Sequence, residues 1–142
     1  MISIAEAEVA SFFESYRAAF ESFDASALSD HLAYPAQIAS DDDGVKLIVL
    51  ESGQAYQRMI EPLFAMYRRL GVRTGRIVKL SISAVSIRIV QAVVCWEILD
   101  GDARPLYAHK AAYTLATGST GWRIAAICVN ELPALKKCLG AC

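Results

Sequence analysis

The sequence predicts an α+β domain in which N-terminal helices pack on the concave face of a curved antiparallel sheet. Segments with the period of helices come first, separated by a short hairpin. Four segments with the two-residue period of strands then follow within residues 74–130. Helices gathered at one end of a chain and strands at the other are typical of this class. A sheet curved around helices forms a cone, so we expect an internal pocket between the two layers.

The composition indicates one domain over residues 1–142, with 55% hydrophobic and 20% charged residues. A net charge of −1 provides no basic surface for nucleic acid or anionic membrane. The longest apolar run, residues 89–99, is too short to span a bilayer, which needs ~20 residues. The N-terminus lacks the basic and apolar regions of a secretory signal. We therefore expect neither a nucleic-acid nor a membrane partner.

The cysteines predict no metal site. Cys95 and Cys128 lie in apolar, strand-like runs, where a thiol is usually a small core residue. Cys138 and Cys142 lack the CxxC spacing and the neighbouring histidine of a zinc site. We expect free thiols in a reducing cytoplasm, no metal and no cofactor, with a Cys138–Cys142 bridge as the alternative.

The first two helices begin at recognisable caps. Ser3 and Glu6 form a capping box, and Asp24 is placed to cap a second, short helix that ends before Pro35. The first helix carries an apolar stripe at helical spacing, made of Val9, Phe12, Phe13, Tyr16, Phe20 and Phe23. We expect Phe12 and Phe20, together with Trp122 of the last strand, to be largely buried.

A hairpin and a third helix come next. Residues 36–40 and 45–50 read as strands around the turn at residues 41–44. Ser52 can cap the third helix, and Gly71 can end it. Pro62 lies inside its periodic pattern and predicts a kink or a break near Glu61.

The remaining chain predicts a four-stranded meander. Residues 87–99 are apolar at nearly every position, so both faces of that strand should be covered. Residues 106–115 place Tyr107, His109 and Tyr113 on one face. Residues 122–130 place Trp122 and Cys128 on a common face, and Pro133 then leaves a tail with a single helical turn.

This order of elements resembles the nuclear transport factor 2-like superfamily of cystatin-like α+β cones. The likeness spans nearly the whole chain. It rests on the aromatic first helix, the short second helix running into H-L-A-Y-P at residues 31–35, the hairpin, the third helix and the meander, with its last hairpin at residues 113–124. The superfamily includes SnoaL-like cyclases, steroid delta-isomerases, dehydratases, epoxide hydrolases and non-catalytic binding or assembly domains. The resemblance thus implies a fold and a pocket, while the activity stays open.

The resemblance also implies site residues. Tyr16 corresponds in place to the first-helix tyrosine of the steroid isomerases, Tyr34 to their base and His109 to their oxyanion acid. Two of the three positions differ in chemistry, which argues against isomerase activity. His109 remains the strongest chemical candidate because an imidazole titrates near neutral pH. The alternative is a neutral histidine that is hydrogen-bonded within the core.

We therefore expect Tyr16, Tyr34, Trp96, His109 and Tyr113 to converge on a cavity for a small apolar or cyclic organic ligand. His109 and Tyr16 would be the catalytic pair of a SnoaL-like cyclase, isomerase or dehydratase. Tyr34, Trp96 and Tyr113 would contact the ligand. The remaining alternative is a non-catalytic dimerisation or assembly domain with a closed pocket.

The sheet also predicts a partner. Helices can cover only one face of residues 87–99, which leaves Val93, Cys95 and Leu99 on the other. An apolar patch of that size is unusual on a monomer. We expect a homodimer that packs sheet against sheet.

Overall fold

The computed structural model describes residues 3–140. In chain order its elements are α1 (Ile4–Glu21), α2 (Ala25–Ser29), β1 (Leu32–Asp41), β2 (Val45–Leu50), α3 (Gly53–Leu70), β3 (Val72–Ser86), β4 (Ile89–Asp100), β5 (Pro105–Gly118), β6 (Gly121–Val129) and α4 (Glu131–Gly140). The strands form one curved, open sheet in the order β2-β1-β6-β5-β4-β3. Strands β1 and β6 pair in parallel, and the other neighbours are antiparallel. The predicted α+β class is confirmed.

The predicted helix boundaries follow from local hydrogen bonds. Ser3, Asp24 and Ser52 each accept the backbone N–H three residues later through their side chains. Gly71 ends α3 with a φ of 83°, a left-handed conformation that glycine adopts without a steric penalty.

Two outcomes expected from prolines, a break of the third helix at Pro62 and a single-turn tail after Pro133, are wrong. Helix α3 continues through Pro62, because buried side chains on either side of it, Tyr56, Ile60 and Phe64, hold both halves against the core. Pro133 lies in the first turn of α4, where a missing N–H leaves no intrahelical bond unmade. The tail is therefore a helix of 10 residues instead of a single turn.

The alternation in β6 changes at a bulge. Leu115 pairs with Ile124, and Thr114 pairs with Ala126, so β6 carries one extra residue. Downstream of the bulge Ile127 is buried and Cys128 is exposed. The expectations that Cys128 shares the face of Trp122 and belongs to the core are wrong for this reason. Cys95 is only partly buried.

Helix α1 lies across the sheet through Phe13, which is fully buried with its ring centroid 4.9 Å from that of Tyr113. Trp122 is buried, as predicted. Phe12 and Phe20 are partly buried and pack against the core, whereas Phe13 between them is fully buried. Phe12 stacks edge-on against the half-buried His31, and Phe20 lines an internal cavity.

None of the helices within residues 3–140 is long and apolar enough to cross a bilayer. The N-terminal Met1 and the Cys142 of the alternative disulfide lie outside the described residues. The Cys138 thiol lies 3.1 Å from the carbonyl oxygen of Leu106.

Candidate functional site

A cavity of about 280 Å³ lies between the concave face of the sheet and helices α1, α3 and α4. Most of its wall is aromatic or aliphatic, as in Phe20, Ile60, Leu63, Met66 and Ile98. Polar side chains enter it from several elements. A concave apolar space with a small number of polar groups is the usual form of a small-molecule site.

Four of the five predicted site residues, Tyr16, Trp96, His109 and Tyr113, line this cavity. Tyr34 does not, so its expected place in the cavity is wrong. Its hydroxyl donates a 2.7 Å hydrogen bond to the carbonyl of Ser29, the last residue of α2. The end of a helix leaves such carbonyls without an intrahelical donor. Tyr34 therefore stabilises the end of α2.

A group of phenols surrounds Tyr16. The indole N–H of Trp96 donates to the hydroxyl of Tyr113 at 3.0 Å, and the rings of Tyr16 and Tyr113 meet edge to face with their centroids 5.9 Å apart. Burial raises the pKa of Tyr16, Tyr56 and Tyr113 above the usual value of 10.0. All three are neutral phenols that can donate hydrogen bonds.

A buried carboxylate forms a second polar group. Glu131, the first residue of α4, is 7% exposed, and its Oε2 accepts hydrogen bonds from Tyr67 at 2.5 Å and from Tyr107 at 2.8 Å. Burial, followed by the negative charge of Glu131, raises the pKa of both tyrosines. The two phenol donors and the N-terminus of α4 favour a negative charge at this position.

His109 lies beside that carboxylate. Its Nδ1 is 3.9 Å from Oε2 of Glu131, too long for a hydrogen bond, and its side chain is 7% exposed. Nδ1 is buried without a hydrogen-bond partner among the described residues. Burial lowers the pKa of His109 from its usual value of 6.5, while Glu131 acts in the opposite direction. The imidazole is therefore neutral at pH 7, and the alternative of a fully hydrogen-bonded core histidine does not hold for Nδ1.

Sequence reasoning missed Glu131, Tyr67 and Tyr107 as site residues. The strand period placed Tyr107 on the face of His109 but did not assign it a role. No role was predicted for Glu131, because the tail that contains it was expected to form a single helical turn. A signal was present, since an acidic residue followed by Pro133 two positions later is typical of a helix start.

The neutral state of His109 predicts a pH dependence of stability. As the pH falls below about 6.5, the unfolded chain takes up a proton that the folded chain binds only at lower pH. The free energy of unfolding should therefore decrease as the pH falls through this window and level off below the folded-state pKa. Urea unfolding at about pH 7.5 and about pH 5 should show a smaller decrease for His109→Gln than for the wild type.

The matched control for this experiment is His31→Gln. The ring nitrogens of His31 lie 2.7 Å from the carbonyl oxygen of Ala27 and 2.9 Å from the hydroxyl of Ser15. It removes the other imidazole of the chain, so a reduced pH dependence in His109→Gln alone assigns the effect to His109. If the free energy of unfolding decreased equally with pH in His109→Gln and in the wild type, burial would not lower the pKa of His109.

The fold and the cavity together define an NTF2-like cone. Residues 6–132 match the family described as NTF2-like protein (DUF6841), and the chain belongs to that family. The resemblance drawn from the sequence is thereby confirmed.

Solved structures support the same fold. An NTF2-like protein with a cystatin-like fold from Novosphingobium aromaticivorans is 15% identical with a TM-score of 0.69, covering 98% of each chain. An NTF-2 like protein of unknown function from Shewanella oneidensis is 11% identical with a TM-score of 0.71, covering 89% of this chain and 99% of that one. An NTF2-like protein of unknown function from Pseudomonas putida is 14% identical with a TM-score of 0.70, covering 92% and 89%. No curated protein sequence matches the chain. At these identities the likeness shows the fold alone.

Proposed function

We propose that this protein binds a small, mainly apolar organic molecule with at least one ring in the cavity between α1, α3 and the sheet. The observation that carries the proposal is an internal space of about 280 Å³ with mainly aromatic and aliphatic walls. Binding by apolar contact, with orientation set by a small number of polar groups, fits such a space. An assembly domain with a closed pocket would not need it.

A catalytic role is the second candidate. His109 is neutral and can act as a base, and the phenol of Tyr16 in the same cavity can donate a hydrogen bond. The enzyme would be of the SnoaL-like cyclase, isomerase or dehydratase kind. If the protein is an enzyme, His109→Ala should abolish turnover while leaving the ligand affinity within about tenfold of the wild-type value. A changed affinity without any turnover marks a binding protein.

Titration with 2-naphthol, a fused-ring probe, tests the binding proposal. We expect calorimetry to show saturable binding of one probe per chain. Binding removes the apolar surface of the ring system from water and places it against the apolar wall of the cavity. Absence of saturable binding for 2-naphthol and for other fused-ring compounds would overturn the proposal.

The outer face of the sheet supports a homodimer as a further proposal. Strand register aligns a row of apolar side chains across it, formed by Leu47, Ala39, Cys128, Ala112 and Val93. Leu47 is 80% exposed, and none of the helices within residues 3–140 covers it. Leu99 does not contribute, contrary to the sequence-based expectation, because it is buried beside a bulge at which the neighbouring strand β5 carries one extra residue.

We predict that light scattering at micromolar concentration gives the mass of two chains. Val93→Glu introduces a charge at the β4 end of the apolar row and should shift the protein to the monomer mass. Val85→Glu is the control, since Val85 is exposed near the end of β3, away from the row. A wild-type monomer mass would contradict the sheet-against-sheet dimer.

A further inference from the structure

The end of the cavity at Glu131 contains an unmet hydrogen-bonding requirement. The buried Nδ1 of His109 has no partner among residues 3–140, and Oε2 of Glu131 lies 3.9 Å from it. A buried polar atom without a partner is costly, so the orientation of the ring and the position of its proton should reduce that cost.

The carboxylate decides where the proton of the neutral imidazole resides. With the proton on Nε2, the lone pair of Nδ1 would face a carboxylate oxygen, and the two would repel each other. With the proton on Nδ1, the N–H would point at that oxygen, and a small movement would close a hydrogen bond. Tyr67 and Tyr107 hold Oε2 in place by donating to it, so the carboxylate cannot easily turn away.

The second ring nitrogen is then an acceptor. Nε2 is not among the buried unpartnered atoms, and His109 lines the cavity. The phenols of Tyr67 and Tyr107, which donate to Glu131, and those of Tyr16, Tyr56 and Tyr113 are neutral. Two arginines also line the cavity: Arg17 is paired with Glu21 at 2.8 Å, and Arg73 is exposed to solvent. A lone pair close to a buried carboxylate therefore faces the ligand space.

We propose that Glu131 is a positioning residue that keeps the proton of His109 on Nδ1, and that the cavity consequently selects neutral ring compounds whose hydroxyl or N–H group donates to Nε2. This inference rests on the proposed binding function. A ligand carboxylate would meet a lone pair and the charge of Glu131 in a medium of low polarity, and would be rejected. A ring compound without a donor would leave Nε2 unpaired and would bind more weakly.

The tautomer can be measured without any ligand. Long-range ¹⁵N–¹H correlation spectra distinguish the protonated from the unprotonated ring nitrogen, and we expect Nδ1 of His109 to be the protonated one at neutral pH. Glu131→Gln should produce a mixture of tautomers, whereas Glu97→Gln should not, because Glu97 pairs with Arg76 on the outer face. A wild-type spectrum with the proton on Nε2 would overturn the inference, even if Glu131→Gln fails to fold.

Three probes of similar shape test the ligand class. We expect 2-naphthol to bind at least tenfold more tightly than 2-methylnaphthalene, and 2-naphthoate to bind most weakly. Glu131→Gln should reduce the preference for 2-naphthol over 2-methylnaphthalene, and Glu97→Gln should preserve it. Equal binding of the three probes, or tighter binding of 2-naphthoate, would overturn this inference while leaving cavity binding intact. Binding of none of them would overturn both proposals.

Discussion

Replacing Phe13 with alanine should lower the free energy of unfolding by about 3–5 kcal/mol. The Phe13 side chain is fully buried, and its ring contacts those of Tyr16 and Tyr113, so it joins α1 to the sheet. Truncation removes buried apolar area and leaves a cavity that the sheet cannot readily fill. Urea denaturation should measure the loss, and the slope of unfolding free energy against urea concentration should be the same as in the wild type.

The control is its neighbour Phe12, which is only partly buried. Because less of its ring leaves water on folding, Phe12→Ala should cost no more than about half as much. Phe12 and Phe13 are the same residue type in the same helix, so the difference between their losses of unfolding free energy measures the effect of burial. Equal losses, or a loss below about 1 kcal/mol for Phe13→Ala, would mean that α1 is packed differently.

Replacing Gly75 with phenylalanine should weaken binding of 2-naphthol at least about thirtyfold, roughly 2 kcal/mol. Gly75 lies in β3 and lines the cavity. A Cβ at this position would lie 3.4 Å from Cε3 of Trp96 and 3.5 Å from Cδ1 of Ile98, which are ordinary contact distances. The β-carbon therefore fits, and the phenyl ring has to extend into the ligand space.

Gly75→Ala is the matched control, since it adds the β-carbon without the ring. We expect its affinity for 2-naphthol to stay within about threefold of the wild type. Both variants should keep the wild-type melting temperature or exceed it, because glycine is a weak residue inside a strand. Undiminished affinity in Gly75→Phe would place the probe elsewhere, for example on the apolar row of the outer face.

The elements were predictable where their signals are local. Ser3, Asp24 and Ser52 cap their helices through bonds to residues three positions away, so the sequence contains the whole motif. The bulge in β6 depends on how that strand pairs with β5, and alternation along β6 alone cannot reveal it. Cys128 was therefore predicted on the wrong face of the sheet, because its position depends on this non-local pairing.

The candidate site was predictable where the two-residue period of a strand determines on which face of the sheet a side chain lies. His109 and Tyr113 lie four residues apart on one strand and face the same side. Tyr34 was misplaced because its hydroxyl bonds to the carbonyl of Ser29, five residues earlier, and strand periodicity does not determine where a hydroxyl finds its acceptor. Glu131 reaches His109 only because α4 begins directly after β6, and the proline in its first turn was interpreted as a stop.

A crystal structure of the protein grown with 2-naphthol would show whether the cavity binds a ring compound and whether His109 accepts its hydroxyl group. We expect the ring system inside the cavity, with its oxygen about 2.7–3.2 Å from Nε2 of His109. Nδ1 of the same ring should face Glu131. A probe bound on the outer face of the sheet beside an empty cavity would contradict the account, as would a probe in the cavity with its oxygen directed away from His109.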